Sequence, residues 1–271
     1  GLILWHQVDV TEETIQRLKR TRVIVRNGVG FESVDVQAAS KYRIPVCNVP
    51  DYGTEEVADH AMALCLALNR QLKPLIEDVR QGNWRFETGR ACRRTRGQVF
   101  GMIGCGLIGT ATALRAKAFG YDVRFYDPYR PSGYEKAIGL TRVDSLEELM
   151  VNADVVSIHT PLTEETRHLI GEAQLRSMKR TAHLINTARG PIVCFKSLEL
   201  ALQEGWIAGA GLDVLEHEPF GAELAARFSN CIVTPHSAFY SEEAVQEMRC
   251  SSAVTIREAL VNGRYLNLVN A

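Results

Sequence analysis

The sequence predicts an α/β fold, a doubly wound parallel sheet accompanied by a second, smaller α/β domain. From Gln98 onward short apolar runs alternate with helical patterns, the rhythm of strand–helix–strand units whose sheet is covered on both faces. Ahead of Gln98, two shorter apolar runs flank a polar, helix-like segment, which reads as a separate, smaller unit. A length of 271 residues suits one large or two modest domains.

The chain opens on the strand-like LILW without an initiating Met. Residues upstream of Gly1 are therefore expected, and the small domain reads as N-terminally incomplete. Its next strands are 23–26 and 45–48, with the helical QAASKYR between them. Thr54 is the expected N-cap of a continuous helix running to about Asn69, long enough to link two domains. Buried strands follow at 99–103, 123–126, 155–158, 182–185, 208–212 and 232–233. Each is nearly continuous in apolar residues, as strands covered on both faces are. Ser145 with Glu148 marks a capping-box start, and SLELALQE (197–204) a helix stopped by Gly205. A last helix from Ser241 to about Leu260 returns the chain to the small domain. The expected borders are 1–50 plus 245–271 for the small domain and 51–244 for the large one.

Composition excludes several functions. Net charge is −1, with 46% apolar and 23% charged residues, which gives no bulk attraction to nucleic acid or an acidic membrane. No apolar stretch approaches the ~20 residues of a spanning helix. Seven cysteines with no C-x-x-C pair fit reduced core thiols rather than disulfides or a metal site. A cytoplasmic protein without a metal is expected.

Function enters with GCGLIG. A strand ends in Gly104, Gly106 and Gly109, a helix starts at Leu107 and Ile108, and the next strand ends in Asp127. Such glycines supply a tight turn, a close backbone approach to pyrophosphate and close helix–strand packing, and the helix N-terminus faces the phosphates. Asp127 is placed to accept from the adenosine ribose hydroxyls. It would repel a 2′-phosphate, so NAD is expected over NADP, although Arg130 stands nearby.

In an open α/β sheet, ligands bind beyond the carboxyl ends of the strands. The residues there are His159-Thr160-Pro161, Asn186-Thr187-Ala188-Arg189-Gly190, Asp213 with Glu216 and Glu218, and Thr234-Pro235-His236. An arginine, a carboxylate and a histidine thus share one sheet edge with the dinucleotide.

The segments RNGVGFESVD (26–35), RGQVFGMIGCGLIG (96–109), NTARG (186–190), GLDVLEHEP (211–219) and TPHSAFYSEEA (234–244) resemble the D-isomer-specific 2-hydroxyacid dehydrogenases along essentially the whole chain. The resemblance implies a Rossmann NAD domain, a flavodoxin-like substrate domain, hydride transfer between NAD and a 2-hydroxy or 2-keto acid, and a homodimer built on the cofactor domain. It makes Arg189 the grip on the substrate carboxylate and carbonyl, His236 the acid/base and Glu218 its partner. Asp213 matches the holder of the nicotinamide carboxamide. Thr160, Pro161, Thr187, Ala188 and His236 join the cofactor set, while Arg26, Gly28, Val29 and Gly30 match the loop that binds the substrate carboxylate. Trp5, His6, Phe239 and Tyr240 are candidates to line the pocket, and His60 reads as structural.

YDPY (126–129) and SAFYSEEA (237–244) look most like the C-terminal binding protein branch and its bacterial dehydrogenase relatives. That branch includes NADH-sensing corepressors, an alternative to the enzyme reading. Those corepressors place a tryptophan where this chain has Phe239. Other departures are Glu32-Ser33 for Asp-Asn, Cys194-Phe195 for Asp-Glu, and Leu107 for an arginine that would contact the pyrophosphate.

Overall fold

The computed structural model describes residues 1–5, 7–90, 92–219 and 230–270. They fall into two units, Gly1–Gly53 with Phe239–Ala271, and Thr54–Ala238.

In the smaller unit, β1 (Leu2–Leu4), β2 (Ile24–Arg26) and β3 (Val46–Cys47) pair in parallel in that order. Strand side chains alternate between faces. Leu4, Ile24 and Val46 therefore pack on Ile15 of α1 (Glu12–Arg17) and Ala38 and Ala39 of α2 (Val36–Lys41). Val23, Val25 and Cys47 pack on Ile256 and Ala259. Thr11 and Asp35 cap the two helices, accepting from Thr14 N and Ala38 N.

The larger unit begins with α3 (Thr54–Asn69) and α4 (Leu72–Arg80). Thr54 is the first residue of α3, and its hydroxyl has no hydrogen-bond partner, so it does not act as the expected N-cap. Then come β4 (Val99–Ile103), α5 (Leu107–Ala118), β5 (Asp122–Tyr126), α6 (Tyr134–Ile138), β6 (Thr141–Arg142), α7 (Leu146–Asn152), β7 (Val155–Ile158), α8 (Glu172–Ser177), β8 (His183–Asn186), α9 (Phe195–Gln203), β9 (Gly209–Leu212) and β10 (Cys231–Val233). All seven strands are parallel, in the order β10-β9-β8-β7-β4-β5-β6. Phe100 and Met102 of β4, with Phe125 of β5, lie in one buried cluster with α3 and α5. Val156 and Ile158 of β7 lie in another with α7, α8 and α9. Burying each such side chain stabilises the fold by about 1.5–3 kcal/mol. The chain winds from β4 out to β6, then crosses to β7 on the opposite side of β4. The crevice between those two strand ends is the topological switch point, where doubly wound sheets bind ligands.

The chain re-enters the smaller unit as α10 (Glu242–Arg257), capped by Ser241, which accepts from Ala244 N at 2.9 Å. Ala244 and Met248 pack with Val49, Tyr52 and Phe239. That cluster moves the borders from the expected 50/51 and 244/245 to 53/54 and 238/239. Among the described residues no helix is long and apolar enough to cross a membrane. All seven cysteines are free, and burial pushes the thiols of Cys65 and Cys231 up to about 12, so both are inert core residues at neutral pH.

Candidate active site

The three fingerprint glycines answer to different demands. Gly104 has φ +88°, and a Cβ there would stand 2.8 Å from the His159 carbonyl oxygen. A Cβ on Gly109 would stand 2.4 Å from the Gly104 carbonyl oxygen. Gly104 is thus required by the close approach of the backbone that follows β7, and Gly109 by the packing of α5 against the end of β4. A Cβ on Gly106 would meet only the tip of Arg130, at 3.4 Å, so the protein itself leaves that face open. Gly106 precedes α5 without any side-chain cap. An open backbone turn and an uncapped helix N-terminus together fit a pyrophosphate.

Asp127 follows β5 and is almost fully buried. Its Oδ2 accepts from Cys105 N at 2.8 Å and its Oδ1 from Tyr129 N at 3.0 Å. The carboxylate thus braces the glycine turn from the end of β5. Leu107 is exposed and Ile108 half-buried at the start of α5. Thr160 and Pro161 follow β7, and the Thr160 hydroxyl donates to the Pro161 carbonyl at 3.0 Å. His159, before them, meets Ser157 Oγ through Nε2 at 2.8 Å. Burial pushes its imidazole down to about 4, so it is neutral at pH 7.

Beyond β8, Asn186 shapes the next loop. Its Oδ1 accepts from Ala188 N and its Nδ2 donates to the Arg189 carbonyl, both at 3.0 Å. Thr187 is buried there, and Arg189 Nη1 donates to the Ala188 carbonyl at 2.7 Å. Glu218 Oε2 meets His236 Nδ1 at 2.7 Å, while Oε1 accepts from Leu215 N at 2.8 Å. Burial pushes the Glu218 carboxyl up. The His236 hydrogen bond, the Leu215 amide and the charges of His236 and Arg189 outweigh it and hold the carboxyl below its ordinary value. Arg189, Glu218 and His236 are therefore gathered in one place, within the unit that carries the fingerprint.

Asp213 is buried and has several partners. Oδ1 accepts from Thr234 Oγ1 at 2.6 Å and from Ser237 N at 2.9 Å, and Oδ2 from Ala238 N at 2.8 Å. Its backbone carbonyl accepts from His236 N at 2.8 Å. This carboxylate holds the 234–238 loop that aims His236, whose φ is +52°. His60 on α3 meets Thr234 Oγ1 through Nε2 at 2.9 Å and so belongs to the same support. Sequence reasoning missed His60 and Thr234 as a pair, because nothing in a helical pattern says which strand end its histidine will meet.

In the smaller unit, Arg26 ends β2 and donates from Nη1 to the Asn27 carbonyl at 2.6 Å. The Gly28 and Val29 carbonyls accept from Val49 N at 3.1 Å and Asn48 Nδ2 at 2.7 Å, and Gly30 completes the braced loop. Phe239 packs edge-on to Tyr52 with ring centroids 6.2 Å apart. The Arg249 guanidinium lies 5.8 Å from the Trp5 ring centroid. Tyr240 is exposed, and His6 lies outside the described residues.

Residues 62–238 match the family described as D-isomer specific 2-hydroxyacid dehydrogenase, NAD binding domain. A glyoxylate reductase from Korarchaeum cryptofilum is 42% identical over 243 residues, covering 88% of this chain and 73% of that protein. A D-3-phosphoglycerate dehydrogenase from Methanocaldococcus jannaschii is 36% identical over 269 residues, 99% of this chain, which spans 51% of that longer relative. A D-lactate dehydrogenase from Aquifex aeolicus, solved with NAD and lactic acid, is 30% identical with a TM-score of 0.90, covering 100% of this chain and 86% of that one. With its open glycine turn, its Arg189–Glu218–His236 cluster and these relatives, the chain belongs to the D-isomer specific 2-hydroxyacid dehydrogenase family, NAD-dependent enzymes on a Rossmann fold.

Proposed function

We propose that this chain interconverts a small D-2-hydroxy acid and its 2-keto acid with NAD, His236 being the acid/base. The observation that carries the reading is the 2.7 Å contact between His236 Nδ1 and Glu218 Oε2, made beside the charge of Arg189. Bound NAD supplies the hydride acceptor, and NADH the donor. The protein handles the rest. His236, with Nδ1 turned to Glu218, has Nε2 to give a proton to the carbonyl oxygen during reduction and to take it back during oxidation. Arg189 makes paired hydrogen bonds to a planar 2-keto acid and stabilises negative charge growing on its oxygen. The α5 N-terminus with Gly104 and Gly106 holds the pyrophosphate, and Asp127 the adenosine ribose. Asp213 keeps the His236 loop in place and serves the carboxamide. Thr160, Pro161, Thr187 and Ala188 line the remaining strand ends on the cofactor side. The loop of Arg26, Gly28, Val29 and Gly30 is assigned to the substrate carboxylate.

Among family branches, YDPY and SAFYSEEA support kinship with the C-terminal binding protein-like branch. The reductase and dehydrogenase names of the relatives support turnover rather than a corepressor role. A cytoplasmic homodimer completes the proposal. The free cysteines support the location, and the exposed apolar residues of α4 and the turn after it support the dimer. Initial rates with NADH and a panel of glyoxylate, hydroxypyruvate, pyruvate and bulkier 2-keto acids test the function, glyoxylate standing first because of the reductase relative. Turnover of at least one is expected, and none with any member would refute the enzyme reading.

A further inference from the structure

Arg130 stands three residues beyond Asp127, and its guanidinium lies back over the glycine turn. Its Nε lies 3.5 Å from Asp127 Oδ2. The guanidinium carbon is 5.2 Å from the Tyr134 ring centroid, and Tyr134 is itself tied through its hydroxyl to Thr110 Oγ1 of α5 at 2.9 Å. Nη2 points to within 3.4 Å of where a Cβ on Gly106 would stand. The backbone is anchored as well, since Arg142 donates to the Arg130 carbonyl at 3.0 Å and the Pro131 carbonyl at 2.9 Å. A cation is thus held beside the second fingerprint glycine. The first residue of α5, Leu107, is apolar and 62% exposed, and so offers no charge to an anion at that helix start.

We infer that Arg130 gives the dinucleotide pyrophosphate, across the open face of Gly106, the charged hydrogen bonds that Leu107 cannot give. The Arg130–Asp127 contact is long, at 3.5 Å, and Asp127 Oδ2 already accepts from Cys105 N at 2.8 Å, so a pyrophosphate with two negative charges competes well for the partly exposed guanidinium. A 2′-phosphate is the poorer partner. The edge of Arg130 nearest the ribose position is turned to Asp127, whose carboxylate repels such a phosphate, whereas Nη2 is turned to the pyrophosphate turn. The inference rests on dinucleotide binding alone and is independent of which acid is turned over.

Equilibrium titrations test it without turnover, with NADH and NADPH followed by nicotinamide fluorescence and ADP-ribose and adenosine as competitors. Arg130→Gln is expected to weaken NADH and ADP-ribose about tenfold, the scale of a charge-assisted hydrogen bond, and adenosine by less than about twofold. The ratio of NADPH to NADH affinity should stay constant. Leu107→Arg added to Arg130→Gln should recover most of the loss. If Arg130→Gln lowers the thermal midpoint, Arg130→Lys carries the same comparison, with a smaller loss expected from a kept charge and a lost fork. Selective loss of NADPH would assign Arg130 to a 2′-phosphate and overturn the inference. Equal loss of adenosine, pointing to an effect through Asp127, would overturn it too, as would no recovery with Leu107→Arg. If the unaltered chain bound no dinucleotide, the cofactor reading itself would fall. If it bound normally and Arg130→Gln bound equally well, only this assignment would.

Discussion

Glu218 ties two parts of the chain to one imidazole, with Leu215 N on one oxygen and His236 Nδ1 on the other. His236→Ala is expected to lower kcat for keto-acid reduction by about 10²-fold or more, the usual scale of general acid catalysis. NADH affinity, read by fluorescence, should change little. Glu218→Gln leaves an amide where an imidazolium had a carboxylate, so the alkaline limb of the kcat/KM profile for reduction should move to lower pH. An upward movement would refute the pairing. Stability carries its own sign. Because the folded Glu218 carboxyl lies below its ordinary value of 4.5, its stabilising contribution is present above that value and lost as the pH falls through the lowered one. The thermal midpoints of the parent and Glu218→Gln should therefore converge on acidification. At Asp127, a buried carboxylate in the ribose position should favour NADH over NADPH by at least about tenfold in kcat/KM, or 1.4 kcal/mol. Asp127→Ala should narrow that gap, and equal use of the two cofactors by the parent would contradict the assignment.

Elements differ in how much of them the sequence discloses. β4 and β7 are legible to the residue, because both of their faces are buried and their apolar runs end at the glycine turn after β4 and at His159 after β7. The glycine turn is legible for a different reason, since packing at Gly104 and Gly109 forbids a Cβ. The short elements are not. α1, α6 and α8 span 6, 5 and 6 residues, less than two turns, so no helical period accumulates. β6 has two residues at the sheet edge. Phe100 shows what the legible strands contribute, being fully buried on β4 and edge-on to Tyr121 with ring centroids 5.4 Å apart. Phe100→Ala should cost about 3–5 kcal/mol, since the void is lined by α3 and α5 and closes only in part. Urea unfolding measures this, and a loss under about 1 kcal/mol would mean the cluster relaxes freely.

At the scale of the whole molecule, contacts between distant parts of the chain decide what the sequence leaves hidden. Arg189, Glu218 and His236 could be read as a group because all three follow strands of one sheet. The support of that group by His60, Thr234 and Asp213 joins α3 to two strand ends, which no local pattern encodes. The proposed homodimer belongs to this scale too. Asp78 on α4 accepts from Asn83 Nδ2 and Arg85 at 3.0 Å each and from Thr88 at 2.7 Å. The turn so fixed presents Trp84 at 90% exposure and Phe86 at 86%, beside the exposed Ile76 and Val79 of α4. Aromatic residues held rigidly in water favour burial against a partner, and a second copy offers the same face, as a twofold dimer requires. Sedimentation equilibrium of the unaltered chain should give a dimer mass. Trp84→Glu with Phe86→Glu should shift it to monomer while NADH binding persists, because neither residue belongs to the glycine turn. A monomeric parent, or a double variant that still dimerises, would rule out this face as the interface.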